Sequence, residues 1–149
     1  MTDTTRLTTA TPWHLWVVGA VALLWNGYGG YDYVMTQTDN AAYLAQFTAE
    51  QRAYFDSFPM WMEAVWAIGV WGAVLGSILL LLRMRLAVQA FALSLLGAVL
   101  SLIYGLAIDK APPPPPEMAV MAYMPWVIVV IAALLAWYAW AMSKRGVLR

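Results

Sequence analysis

The chain has 149 residues with 8 basic and 8 acidic side chains, and it is 63% hydrophobic but only 11% charged. A soluble domain of this size cannot bury so much apolar surface. A disordered chain needs more charge and fewer aromatic residues, and a nucleic-acid-binding protein needs a basic surplus. The sequence contains no cysteine, which excludes disulfides, thiol redox chemistry and thiolate metal sites. Composition therefore predicts a membrane protein that binds no nucleic acid.

Four apolar stretches are each long enough to cross a bilayer, since a hydrocarbon core of roughly 30 Å needs roughly 20 helical residues. Helices are expected because backbone polar groups in lipid must be satisfied within the segment. The predicted spans cover residues 12–34, 59–82, 86–108 and 123–142. The expected fold is all-α, a four-helix membrane bundle forming a single domain over residues 1–149.

The first stretch also has one feature of a signal peptide, because Arg6 precedes it. However, the stretch is longer than a signal-peptide core, and its end has no good cleavage site of the small-x-small kind. We therefore expect it to remain as the first span.

Basic residues are distributed unevenly between the two sides of the predicted bundle. Short loops rich in Lys and Arg remain on the cytoplasmic side of a membrane. One side would carry six basic residues: Arg6, Arg83, Arg85, Lys144, Arg145 and Arg149. The other would carry Arg52 and Lys110. The sequence thus predicts that both termini are cytoplasmic.

The two predicted outer loops, residues 35–58 and 109–122, have distinct signals. In the first, Asn40 can cap a short helix, and Thr48 with Gln51 three residues later matches a capping box. Two short amphipathic helices are expected there, either sealing the bundle top at the membrane surface or forming a lid over a site. In the second, the prolines 112–116 predict a polyproline II rod of roughly 15 Å, as a stiff spacer or a docking ligand.

Small residues recur at four-residue spacing and predict close helix packing, since small side chains let membrane helices approach. They are Gly72 and Gly76 in the second span, and Gly97, Ser101 and Gly105 in the third. We expect these faces to pack within one chain. The fourth span has large apolar side chains instead, so we expect it at a lipid-facing edge or against a partner, a membrane protein or a second copy.

A few polar residues in the spans are candidates for a site, because polar groups inside a membrane are costly and are functional candidates by default. They are Asn26, Asp32, Glu63 and Tyr104, all expected in the outer half. Together they would suit a polar solute, a cation or a proton. The alternative is that Asp32 and Glu63 are hydrated interfacial groups and that Asn26 bonds a neighbouring helix.

His14 is the single histidine of the chain, and in projection it lies near Arg83 and Arg85 at the inner face. We expect these three residues to contact anionic lipid. One histidine per chain does not supply two axial haem ligands and does not form an ordinary zinc site. Phosphate-loop, zinc-protease and nucleophile-elbow motifs are absent from the sequence. No metal, cofactor or enzymatic activity is therefore expected.

Several runs of the sequence resemble a family of small bacterial four-span inner-membrane proteins, some of which carry an automatic "sugar transporter" label. The runs lie at residues 25–33, 43–44, 47–51, 54–59, 66–72 and 91–97, and the resemblance extends over nearly the whole chain. It implies a multi-pass protein of the bacterial inner membrane and lends some weight to transport. It supplies no binding residues.

Two functions follow as hypotheses. The first is a non-enzymatic accessory or scaffold subunit of a membrane assembly, which suits the apolar fourth span. The second is a carrier for a small, sugar-like polar solute that uses Asn26, Asp32, Glu63 and Tyr104.

Overall fold

The computed structural model describes residues 10–108, 110–114 and 116–149. Within these ranges the chain is helical and contains no strand. The α-helices are α1 (Trp13–Gln37), α2 (Ala41–Leu44), α3 (Ala49–Asp56), α4 (Met60–Leu81), α5 (Leu86–Ile103) and α6 (Met124–Lys144). A π-helical turn, Tyr104–Ile108, continues α5, and a 3-10 helix, Pro116–Tyr123, precedes α6. Arg6, which entered the prediction of orientation, lies outside the described residues.

Among the described residues, three helical segments are long and apolar enough to cross a membrane: Met60–Leu81, Leu86–Ile108 and Ala119–Lys144. This is the pattern of a membrane protein. The helix α1 has 25 residues, so it is long enough to cross, but it is less apolar. Its second half contains Asn26 and a run of tyrosines and glycines.

The four long helices pack in chain order and alternate in direction, with α1 on α4, α4 on α5, and α5 on α6. The first and last of them meet near one end, where His14 Nδ1 lies 2.5 Å from the Tyr138 hydroxyl. We call this the basic end, defined by Arg83, Arg85, Lys144, Arg145 and Arg149. The opposite end, which carries α2 and α3, is the capped end.

Three helices end in the same way, with one residue in the left-handed conformation. After α6, the amide of Gly146 (φ 72°) donates to Ser143 and that of Val147 donates to Met142. These two bonds form a Schellman motif, which satisfies the last carbonyls of a helix and turns the chain back. The residues Asp39 and Arg83 end α1 and α4 with the same pair of bonds. The chain after α6 is thereby directed into the bundle.

The hydrophobic core lies toward the basic end and includes residues from all four long helices. Its buried members include Leu15, Leu80, Phe91 and Ala139. The segment after α6 completes this core, because Val147 and Leu148 are only 2% and 1% exposed. Both residues lie beyond the predicted end of the fourth span at 142.

Small residues lie at the contact between α4 and α5. A β-carbon added at Gly97 would lie 2.8 Å from the Cα of Gly69, and one added at Gly72 would lie 3.1 Å from the Ala90 carbonyl oxygen. These backbones therefore touch directly, as small residues permit. The predicted packing residues Ser101 and Gly105 lie further along. Ser101 is half-buried in α5, whereas Gly105 lies in the π-helical turn.

The capping signals of the first loop are confirmed. The Asn40 side chain accepts from the Tyr43 amide at the start of α2. Thr48 and Gln51 form a reciprocal capping box at the start of α3.

The proline run differs from the predicted five-residue rod. Its last member, Pro116, begins the 3-10 helix, a conformation with ψ near −25° rather than the +145° of polyproline II. Pro112, Pro113 and Pro114 belong to no helix or strand. Pro115 lies outside the described residues.

Candidate functional site

Aromatic rings form a continuous cluster at the capped end. We call α2 and α3 together the cap. Phe58, which follows α3, joins the cap to the long helices, because its ring centre lies 5.5 Å from that of Tyr104 and 6.2 Å from that of Trp66. Trp66 in turn stacks with Phe55 of α3 at 6.1 Å and meets Tyr33 of α1 edge-on at 4.9 Å. Offset and edge-on pairs of this kind are favourable beyond the area that they bury. The cluster therefore fixes α3 over the ends of α1, α4 and α5.

Asp32 binds the other part of the cap. The Tyr43 hydroxyl of α2 donates a hydrogen bond to the Asp32 carboxylate of α1. Burial and this hydrogen bond raise the pKa of Tyr43 above its ordinary value of 10.0. The phenol therefore stays protonated, and so remains a donor, beyond the pH at which a free tyrosine ionises.

Replacing Tyr43 by Phe should release α2 from α1, since the lost hydrogen bond is worth about 1 kcal/mol. The bond contributes fully below the ordinary pKa of 10.0 and is lost as the pH rises through the higher pKa of the folded protein. A nitroxide at Ala45→Cys should thus report ordered motion up to and beyond about pH 10, and mobility only above the raised pKa of Tyr43. Tyr43→Phe should be mobile at every pH.

Tyr123→Phe is the control for this experiment, because Tyr123 is exposed at the start of α6. It should leave the nitroxide spectrum and its pH dependence unchanged. A Tyr43→Phe spectrum that follows the same pH curve as the parent would contradict the assignment of the hydrogen bond.

Asn26 holds α1 against α4. Its side-chain amide donates to the Ser77 hydroxyl at 2.9 Å and to the Ala73 carbonyl oxygen at 3.3 Å. The Ser77 hydroxyl donates in turn to the same Ala73 oxygen at 2.8 Å. Both Asn26 and Ser77 are buried, so the three groups form a polar contact between two helices. This agrees with the alternative interpretation of Asn26 as a residue that bonds a neighbouring helix.

Asn26→Leu should lower the free energy of unfolding in detergent by about 0.6 kcal/mol and by no more than about 1.7 kcal/mol, the range measured for hydrogen bonds between membrane helices. Ser77→Ala should cost a similar amount, and the double variant should cost less than the sum of the two because they share one contact. Strict additivity of the two losses would show that the contact has no energetic weight. Chemical unfolding followed by circular dichroism gives all three values.

The four predicted site residues do not form one group, because the structure separates Asn26 from Glu63. Asn26 is level with Ser77, which follows Glu63 by fourteen positions and thus lies about 21 Å further along α4 at 1.5 Å per residue. Asp32 faces the cap through Tyr43. Tyr104 is buried at the capped end, where its ring meets that of Trp61 at 5.5 Å.

Two open cavities lie at the capped end, and their walls do not include Asn26, Asp32, Glu63 or Tyr104. The first, of about 390 Å³, lies between α1 and α3, where Asp39, Arg52, Phe55 and Asp56 contribute to its wall. The second, of about 550 Å³, lies beside α2 and Tyr31. Within the described part of the chain, His, Asp and Glu form no group of three that is placed to hold a metal ion.

The basic end contains His14, Arg83 and Arg85, the residues expected to contact anionic lipid. His14 pairs with Tyr138, whereas both arginines bind the chain after α6. Arg83 Nε donates to the Val147 carbonyl oxygen at 3.4 Å, and Arg85 Nε donates to that of Leu148 at 3.2 Å. The sequence signal for this docking was Gly146 followed by an apolar residue after the last helical turn, which is the pattern of a Schellman motif.

Comparison with known proteins gives no relative for this architecture. No protein family, curated protein or solved structure matches the chain. The resemblance to small bacterial four-span proteins therefore stays a prediction from the sequence.

Proposed function

We propose that the chain crosses a bacterial inner membrane four times with both ends in the cytoplasm and serves as a non-enzymatic accessory or scaffold subunit of a membrane assembly. The helix α1 would be the fourth crossing. Its 25 residues give a length of about 37 Å at 1.5 Å per residue, more than a hydrocarbon core of roughly 30 Å requires. Its antiparallel packing on α4 supports a shared depth.

The observation that supports the accessory function is that buried polar groups form hydrogen bonds between helices. Apart from Tyr104, the buried polar side chains among the described residues are Asn26, Ser77 and Ser94. Asn26 binds Ser77 across α1 and α4, and the Ser94 hydroxyl donates to the Gly69 carbonyl oxygen across α5 and α4 at 2.7 Å. The interior polarity thus stabilises helix packing rather than lining a path for a solute.

The surface available to a partner is the half of α6 nearest the capped end. The residues of α6 that are buried begin only at Ala132. Before that point, large apolar side chains face outward: Trp126, Val127, Ile128 and Val130. α5 packs against one side of α6. A partner helix would cover the outward-facing side chains in this half of α6.

The test is gentle-detergent purification from native membranes, followed by intact-complex mass spectrometry and photocrosslinking. A photoreactive residue at Val130 of α6 should capture a partner at fixed stoichiometry. Val21 of α1 is the matched control, because its exposure of 60% is close to the 58% of Val130. Recovery of only a monomer or a homo-oligomer would refute the accessory function and favour the carrier.

A carrier would have to expose Asn26 alternately to both sides of the membrane. Because the sequence lacks cysteine, Asn26→Cys can be labelled without background. Labelling from either side by a membrane-impermeant maleimide would support a carrier. Protection from both sides is expected for the accessory subunit.

The same chemistry tests the orientation. Lys144→Cys should be protected from an impermeant reagent in intact cells, whereas Lys110→Cys should react. Labelling of Lys144→Cys from outside would overturn the proposed orientation.

A further inference from the structure

We propose that the basic end is a binding site for the phosphate headgroup of an anionic lipid, and that the docked segment Val147–Arg149 builds this site. The proposal rests on the proposed membrane crossing but not on the accessory function. It extends the expected lipid contact of His14, Arg83 and Arg85, because the docked segment binds both arginines and adds Arg149 beside them.

The first argument is that the segment is held firmly in place. The Schellman motif at Gly146 turns the chain back, and Val147 and Leu148 enter the core. Arg149 then pairs with the turn between α4 and α5. Its amide donates to the Arg83 carbonyl oxygen at 2.7 Å, and its carbonyl oxygen accepts from the Arg85 amide at 2.9 Å. Two buried side chains and two reciprocal backbone bonds therefore fix the three arginines relative to one another.

The second argument concerns the orientation of two guanidinium groups. Each of Arg83 and Arg85 uses its Nε to bind a carbonyl oxygen of the segment. A guanidinium is planar and has five N–H donors, and it binds phosphate oxygens through pairs of them. Anchoring Nε fixes the plane of the group while leaving phosphate recognition to the terminal nitrogens. The carbonyl oxygens of Val147 and Leu148 thus orient the two arginines.

The third argument is the separation of charge along the bundle. Lys144 and Arg145 lie beside the three arginines and are exposed, as are Arg85 and Arg149. The acidic residues whose side chains are described all lie in the cap or in the half of the helices next to it: Asp32, Asp39, Glu50, Asp56 and Glu63. Five cations are therefore grouped with no described acidic side chain among them, which favours an anionic ligand.

The fourth argument identifies the ligand as a lipid. Exposed tryptophans surround the basic end: Trp13, Trp16, Trp137 and Trp140. Tryptophans of membrane proteins concentrate at the level of the lipid headgroups, and the Lys144 ammonium lies 5.9 Å from the centre of the Trp140 ring. The cations therefore lie at the depth of lipid phosphates, where basic pockets between helices bind anionic headgroups.

The test compares binding of phosphatidylglycerol and phosphatidylcholine to the purified full chain in detergent by native mass spectrometry. The parent protein should prefer phosphatidylglycerol. Arg83→Gln with Arg85→Gln should weaken that preference about thirtyfold, since each cation near an anionic surface contributes about fivefold. The matched control is Arg52→Gln with Lys110→Gln, which removes the same charge from the capped end and should retain the preference.

A second variant tests the docked segment without altering any charge. Val147→Ser with Leu148→Ser removes the two apolar anchors, and the lipid preference should be lost although all five cations remain. Circular dichroism and monodisperse elution establish folding of each variant. If the first variant does not fold, Arg145→Gln with Arg149→Gln replaces it with the same expected loss.

Three results would overturn the proposal. Equal losses in the two double charge variants would indicate unspecific attraction, and full binding by the serine variant would show that the segment builds no site. Displacement of the lipid by millimolar inorganic phosphate would identify a free anion as the ligand. Because these measurements use the purified chain alone, they succeed or fail independently of the search for a protein partner.

Discussion

Gly97→Ala is expected to lower the free energy of unfolding by about 1–3 kcal/mol, the usual cost of overpacking a close contact. The added β-carbon would lie 2.8 Å from both the Cα and the amide nitrogen of Gly69, and 3.0 Å from the Val65 carbonyl oxygen. Since these atoms belong to the backbone, no rotamer change makes room. The two helices must move apart, and the hydrogen bond from Ser94 to the Gly69 carbonyl oxygen would lengthen with them.

Gly27→Ala is the matched control for this prediction. Gly27 also lies within a long helix, but a β-carbon there meets nothing within 4 Å. The substitution should be neutral or should stabilise the protein by about 0.4–1 kcal/mol, because alanine loses less conformational entropy on folding. Thermal unfolding in one detergent compares the two variants directly. Equal stability of the two would contradict the direct backbone contact between α4 and α5.

Much of the fold could be predicted from the sequence, because its signals are local. The apolar run of residues 59–82 corresponds to α4, and that of 86–108 to α5 with its π-helical turn. The spacing of Thr48 and Gln51 correctly predicted the start of α3, since a capping box requires only two suitable residues three positions apart. The small residues Gly72 and Gly97 predicted a close approach because no larger side chain allows it.

The depth of the candidate site could not be predicted in the same way. Asn26 was expected near Glu63 because the depth of each residue was counted from the predicted outer end of its own span. In the structure α1 continues to Gln37, three residues beyond the predicted end at 34. Asn26 is also level with Ser77 rather than with Glu63, so the ends of α1 and α4 do not lie at the same depth. Moreover, depth does not determine which face of a helix a residue occupies. Asn26 faces Ser77, and only tertiary packing determines that choice.

The docking of Val147–Arg149 depends on backbone conformation that composition does not reveal. The left-handed residue after α4 is Arg83 (φ 59°) rather than the glycine that usually occupies this position. Its strain is held by the bonds that Arg149 makes with the Arg83 carbonyl oxygen and the Arg85 amide, as strained residues require. A search for glycine after a helix therefore finds the Schellman motif at the end of α6 but not the one at the end of α4. The pairing of these two helix ends cannot be predicted in this way.

The second large effect is expected at the contact between Gly76 of α4 and Phe91 of α5. Phe91 is 1% exposed, so Phe91→Ala should cost about 3–5 kcal/mol through the cavity that it leaves. A β-carbon at Gly76 would lie 2.8–3.0 Å from three atoms of that ring. Gly76→Ala alone should therefore cost about 1–3 kcal/mol.

The two substitutions should not be additive. Once the ring is gone, the methyl group at position 76 enters vacant space, and the double variant should be more stable than the sum of the single losses by about 0.5–3 kcal/mol, as for residues in contact. Leu93 is the comparison, because it lies on α5 but is 53% exposed. Gly76→Ala with Leu93→Ala should be additive within about 0.5 kcal/mol, since the two sites share no partner. Additivity with Phe91→Ala as well would mean that α4 and α5 do not meet through this ring, and the register of the central helix pair would have to be revised.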